Sequence, residues 1–205
     1  MKIVVAATGE QWAALARDAS KTEWQRVEDC KDFTQHNDAD AFFDLTFNAG
    51  LPWFASPGKP VFINSVTQTL KELNAPANVL RINAWPGFLQ RHSWEIAGPV
   101  DKNVIAICER LDKKIITVPD EPGLIAARII AMIINEAYFA TGDEVSSKKE
   151  IDTAMKLGTN YPFGPFEWVS LIGPGNVLAL LEKLSITDKR YQPAALLIKE
   201  VNENN

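Results

Sequence analysis

A change of pattern near residue 120 constrains this chain more than any other feature. Before it, short apolar runs recur: KIVVAA (2–7), WQRVE (24–28), DAFFDLTF (40–47), PVFIN (60–64), NVLRINAW (78–85) and KKIITV (113–118). Residues 9–19, 66–74 and 101–112 have helical spacing among them. Such alternation predicts a parallel sheet with helices on its faces, since parallel neighbours need long crossovers. After PDEPG (119–123) no strand pattern returns before residue 201. The expectation is an α/β domain with a parallel sheet over 1–118, followed by an all-α domain over 119–205.

Charge and composition then exclude several classes. Of the 205 residues, 21 are Lys or Arg and 26 Asp or Glu, a net charge of −5 with no basic stripe, which argues against nucleic-acid binding. Cys30 and Cys108 are far apart and form no C-x-x-C pattern, so two free thiols in a reducing compartment are expected. The most apolar stretch, 124–140, is interrupted by Arg128, Asn135 and Glu136, short of the ~20 apolar residues of a membrane span. It is expected to be buried in a core or a subunit interface. The start MKIVVAATGE carries too short an apolar run for a signal peptide and reads as a first strand, so the expected location is cytoplasmic, with no membrane association. His36 and His92 suggest no metal site, for there is no H-x-x-x-H pattern or cysteine cluster. Neither a G-x-S-x-G elbow nor a G-x-x-x-x-G-K-[ST] loop occurs.

A sheet opening with strand, glycine and helix suggests a Rossmann-like nucleotide site. Of the G-x-G-x-x-G pattern, AATGEQW keeps only Gly9, at the middle position, with Ala7 and Trp12 at the other two. Glu10 adds negative charge where a pyrophosphate would sit. Glu28 lies about 20 residues on, where an acid would bind a ribose hydroxyl. Gly9 and Glu28 are therefore the candidate cofactor-binding residues.

Four motifs in the second half occur in fixed order: D-x-P-G-L-I (Asp120, Pro122, Gly123), N-E-A (Asn135, Glu136, Ala137), E-I-D-x-A-M-x-x-G (Glu150 to Gly158) and Y-P-x-G-P-F-E (Tyr161 to Glu167). With them, the chain resembles the C-terminal domain of the 3-hydroxyacyl-CoA dehydrogenases over nearly all of 115–200. The resemblance extends more weakly into the first half, through DAFFDLTF, VFINSVTQTL and RINAWPGFLQRHSWEIAG, where a helical insertion of the family is missing. It implies a shortened NAD-binding-type domain, NAD as cofactor, an acyl-CoA substrate and a homodimer formed through the long apolar helix. It also implies an acyl-CoA wall built from Pro162, Gly164, Pro165 and Phe166, with Arg128 as a further substrate-binding residue.

In this family a histidine removes the hydroxyl proton and a glutamate orients it. The resemblance places the histidine position on Asn83 and the glutamate on Glu95. Asparagine has no group that titrates near neutral pH, so it donates a hydrogen bond but cannot serve as a general base. His92, three residues before Glu95, is a replacement base or an exposed turn residue; His36 reads as a surface loop residue. Two functions stay open on these grounds. One is NAD-dependent oxidation of a 3-hydroxyacyl-CoA. The other is a non-catalytic homologue, either acyl-CoA-binding or structural, that dimerises through its helical domain.

Overall fold

The computed structural model describes residues 1–15, 22–47 and 58–203, in two compact units, Met1–Leu124 and Ile125–Asn205. The expected helix at 9–19 therefore lies partly outside the described residues.

The first unit contains β1 (Lys2–Ala6), α1 (Gly9–Leu15), β2 (Glu23–Val27), a 3-10 helix (Cys30–Gln35), β3 (Ala41–Asp44), β4 (Val61–Asn64), β5 (Val79–Ile82), β6 (Ser93–Ala97), α2 (Lys102–Arg110) and β7 (Lys114–Thr117). Its seven-stranded sheet has the order β2-β1-β3-β4-β5-β6-β7. Every pairing is parallel except that of β5 with β6. Residues 3–6 of β1 are fully buried, as a central parallel strand covered on both faces requires. Successive side chains alternate between two cores. Ile3 and Val5 join Phe43, Phe62 and α2 on one face, while Val4 and Ala6 join Phe42, Val61 and Phe33 on the other.

Two expectations need correction. The sheet is not wholly parallel, because Ser93–Ala97 forms an antiparallel strand. Its signal was present in the alternation of buried Trp94 and Ile96 with half-buried Ser93 and Glu95. Residues 66–74 are turns rather than a helix. The amides of Leu70 and Lys71 donate to the Asp120 carboxylate at 3.0 and 3.2 Å, and Asn74 turns the chain at φ 47°. A tertiary acceptor has replaced the helical ones.

Arg81 fastens the same region. Its side chain is wholly buried on β5, with Nη1 2.6 Å from Asp120 Oδ1, Nε donating to Ser65 O at 2.7 Å and Nη2 to Val66 O at 3.0 Å. Both terminal nitrogens also reach Glu121 O. One guanidinium thus ties β5 to the loop after β4 and to the segment after β7.

The second unit is helical: α3 (Ala126–Gly142), α4 (Lys148–Thr159), α5 (Pro165–Ile172), α6 (Pro174–Ser185), a 3-10 turn (Lys189–Tyr191) and α7 (Ala195–Glu203). Ser147 and Glu150 close a capping box on α4. Buried Asn135 donates to Gln192 O at 2.9 Å and accepts from Ala194 N at 2.8 Å, pinning the entry of α7 to α3. The turn from α4 to α5 is held by its own motif residues. Asn160 ends α4 in the left-handed region, and Pro165 opens α5. Asp152 Oδ1 on α4 accepts from Phe166 N at 2.7 Å, at the positive end of α5. Glu167 accepts from Gly164 N at 3.0 Å and pairs with Lys156. A Cβ on Gly164 would lie 2.5 Å from Asp152 Cα, so glycine is required there for approach, not for conformation. Ile125 and Ile129 leave an apolar edge of α3 about half exposed. Among the described residues, no helix is long and apolar enough to cross a membrane.

Candidate functional site

The register of β5 with β6 pairs Arg81 with Ala97 and Ile82 with Ile96. One further step brings Asn83 opposite Glu95, so their twelve-residue separation places them side by side across an antiparallel pair. Both line a cavity of about 390 Å³, together with Phe88, Arg91, His92, Ser93, Trp94 and Ile116. Asn83 is only 7% exposed. Its Oδ1 accepts from Trp85 N at 3.0 Å, which fixes the orientation of the amide. Its Nδ2 is then a buried donor with no partner among the described residues. Such a group costs roughly 1–3 kcal/mol while it has no partner, and it belongs to a residue that lines the cavity. Glu95 is half-buried at the end of the same row. His92 also lines the cavity; it is exposed, with Nδ1 3.7 Å from Asp112 Oδ2. His36 closes the 3-10 helix through its backbone and takes no part in this cavity.

The carboxyl ends of the parallel strands, where a doubly wound sheet takes a dinucleotide, are organised differently. The switch point lies between β1 and β3. There Thr8 N donates to Gln11 Oε1 at 3.0 Å, and Gln11 N donates to Thr8 Oγ1 at 3.2 Å, a reciprocal cap on α1. Gln11 Nε2 donates in turn to Leu45 O at 2.9 Å, just beyond β3. Gly9 is exposed and a Cβ on it would meet nothing within 4 Å, so no close approach demands glycine. Glu28 is exposed at the end of β2 beside this turn. The first amide of the turn is already satisfied, Glu10 sits in the first helical turn, and the Gln11 side chain crosses the switch point. These residues do not fit a dinucleotide pyrophosphate.

Asp44 closes β3 at the same point and is 6% exposed. Burial pushes its carboxyl up to about 6, against which hydrogen bonds from Thr46 and Cys30 act. A raised carboxyl pKa stabilises the fold below the unfolded value of 3.8, and that contribution is lost as pH rises through about 6. Asp44→Asn should therefore leave stability near pH 4 little changed and raise it at pH 7.5, by up to roughly 2–3 kcal/mol. Urea denaturation at the two pH values checks this; equal effects at both would show that Asp44 titrates normally.

The four residues expected to form the acyl-CoA wall, and Arg128, lie in the second unit. Pro165 and Phe166 are buried at the start of α5, Gly164 is pinned against Asp152, and Pro162 is exposed. Arg128 stands 6.0 Å from the centre of the Tyr191 ring. Among the described residues, no three His, Cys, Asp or Glu side chains gather to hold a metal. A second cavity, of about 400 Å³, includes Met1, Asp40, Lys59 and Arg110 and opens at the amino ends of the strands, away from the edge such sheets use. Reading the sequence missed Gln11, Trp94 and Arg91. Only Gln11 carried a signal, the T-x-x-Q spacing of a helix cap.

Comparison with known proteins accords with this architecture. Residues 123–205 match the family model described as 3-hydroxyacyl-CoA dehydrogenase, C-terminal domain. The chain is 41% identical over 98 residues to the 3-hydroxyadipyl-CoA dehydrogenase of Escherichia coli, covering 47% of this chain and 21% of that protein. It is 40% identical over 103 residues to the 3-hydroxybutyryl-CoA dehydrogenase of Clostridioides difficile, covering 49% and 37%. These matches thus span only a fifth to somewhat over a third of the relatives' own lengths. Among solved structures, FadB2 of Mycobacterium tuberculosis aligns with a TM-score of 0.77 at 14% identity, over 99% of this chain and 93% of that one. The (S)-3-hydroxybutyryl-CoA dehydrogenase PaaH1 of Ralstonia eutropha aligns with a TM-score of 0.72 at 20% identity, over 99% and 93%. At those identities the likeness establishes a fold, a Rossmann-like sheet domain followed by a helical one. Residues 123–205 thus form a domain of the 3-hydroxyacyl-CoA dehydrogenase C-terminal type.

Proposed function

We propose that the chain is a 3-hydroxyacyl-CoA dehydrogenase-type protein that recognises the 3-oxygenated head of a short acyl-CoA and has lost the general base of its family. The observation that carries this reading is the unpaired Nδ2 of Asn83, in a cavity shared with Glu95. A carboxamide donor beside a carboxylate acceptor suits a 3-hydroxyl, which both accepts and donates, and the donor alone suits a 3-oxo group. The cavity volume admits a short acyl head, and the CoA would lie outside it. With no base at residue 83, oxidation forfeits the ~10²–10⁴-fold contributed by positioned proton transfer.

Calorimetric titration with 3-hydroxybutyryl-CoA and acetoacetyl-CoA tests the reading. Saturable binding is expected, weakened about tenfold by Asn83→Leu. Absence of binding to a folded protein would contradict it. A second reading, NAD-dependent oxidation with His92 as base, is favoured by the place of His92 on the same cavity. It requires NAD-linked turnover that His92→Gln abolishes while acyl-CoA binding persists.

A further inference from the structure

The ends of the five parallel strands are joined by side chains of the protein itself. From β2, Arg26 donates to Ala7 O, beyond β1, through Nε at 3.2 Å and Nη2 at 2.9 Å. From the start of α1, Gln11 takes the Thr8 amide and gives its own NH2 to Leu45 O, beyond β3. From the end of β4, Asn64 Nδ2 donates to the same Leu45 O at 3.3 Å, and its Oδ1 accepts from Ala84 N at 3.0 Å, beyond β5. The bonds run in the spatial order of the strands, from β2 to β5. In an open α/β sheet this edge carries the backbone groups that await a ligand. Here Ala7 O, Thr8 N, Leu45 O and Ala84 N are already paired within the chain.

We propose that Arg26, Gln11 and Asn64 form a built-in tie that takes the place of a dinucleotide at this edge, so that the sheet is complete without NAD(H) or NADP(H). Gln11 is the central member. Both ends of its carboxamide are engaged, one across the turn and one across the switch point. A pyrophosphate approaching Thr8 N must displace the Gln11 carbonyl, and the fragment lost with it includes the contact to β3. The Glu10 carboxylate in the first turn of α1 opposes the same anion. This inference does not depend on the acyl-CoA reading, because it concerns a different edge of the sheet and other residues.

Two measurements on the whole chain test it. The first is a titration with NADH, and separately with NADPH, followed by energy transfer from tryptophan, with Trp12 in α1 as the near donor. No transfer is expected up to about 1 mM, the upper end of ordinary substrate affinities; saturable transfer would overturn the proposal. The second is amide hydrogen exchange with and without Gln11→Met, which keeps the side-chain length and removes both polar ends. The Thr8 amide is expected to be protected in the parent protein, to exchange at least tenfold faster in the variant, and to be unaffected by NADH. Unchanged Thr8 exchange in the variant would overturn the tie. Should Gln11→Met fail to fold, Gln11→Glu retains an acceptor for Thr8 N and loses the donor to Leu45. It is then expected to keep the Thr8 protection and to melt at a lower temperature, and a melting temperature equal to the parent's would overturn the role of the Leu45 contact.

Discussion

Gly164→Ala is expected to unfold the helical unit or to cost it at least about 3 kcal/mol, the upper end of ordinary overpacking. The reason is steric and local. The added Cβ would collide with Asp152 Oδ1 and lie 2.5 Å from the Asp152 Cα and Cβ, and only the first of these atoms can swing aside. Backbone conformation has no part in it, for φ at Gly164 is −75°, where alanine is at ease. Retreat of α4 would break the Asp152–Phe166 hydrogen bond and part Lys156 from Glu167. Helical circular dichroism through a urea titration measures the effect. A loss below about 0.5 kcal/mol, the range of neutral surface changes, would show that the two helices do not depend on this contact. By comparison, Gly9→Ala is expected to be near neutral, since its Cβ would enter open space.

Arg81→Met should be the most damaging change in the sheet unit, at about 3–5 kcal/mol, the usual cost of removing one partner of a buried ion pair. Methionine fills much of the same volume but makes none of the bonds to Asp120, Ser65 O, Val66 O and Glu121 O. Asp120 keeps the amides of Leu70 and Lys71. Asp120→Asn removes the charge and one of the two accepting oxygens but keeps the other, and should cost less. The double variant should cost less than the sum of the two, because the interaction they share can be lost once only. Additive losses in a double-mutant cycle would mean that Arg81 acts through its backbone contacts and not through Asp120.

These two cases show what the sequence discloses and where it stops. The P-x-G-P-F-E motif and the acid of E-I-D are visible as a string, but their bond is not, because it joins residues 152 and 166 through a turn. The β/α alternation is legible in the apolar runs, since parallel strands covered on both faces must be apolar throughout. β6 is less so, for a strand of alternating character with a glutamate in it resembles a loop until its partner is known. Residues 66–74 have the spacing of a helix, yet a single carboxylate fifty residues away takes its amides. Asn83 and Glu95 could be selected from the resemblance, and an antiparallel register explains their spacing. That the Asn83 NH2 is a donor without a partner among the described residues depends on the Trp85 amide holding its oxygen, which is settled only in the fold. Gln11 illustrates the converse. Its T-x-x-Q cap is local and readable, whereas its reach to Leu45 is not.

The central claim is that the Asn83 carboxamide receives the oxygen of an acyl-CoA head. It is tested most directly by the side-chain NH2 signals of Asn83 in a proton–nitrogen correlation spectrum, assigned by comparison with Asn83→Leu. On titration with acetoacetyl-CoA, the account predicts a downfield shift of one Asn83 NH2 proton and slower exchange with water, both saturating with the binding isotherm. Saturable binding that moves other resonances and leaves both Asn83 protons in place would contradict it.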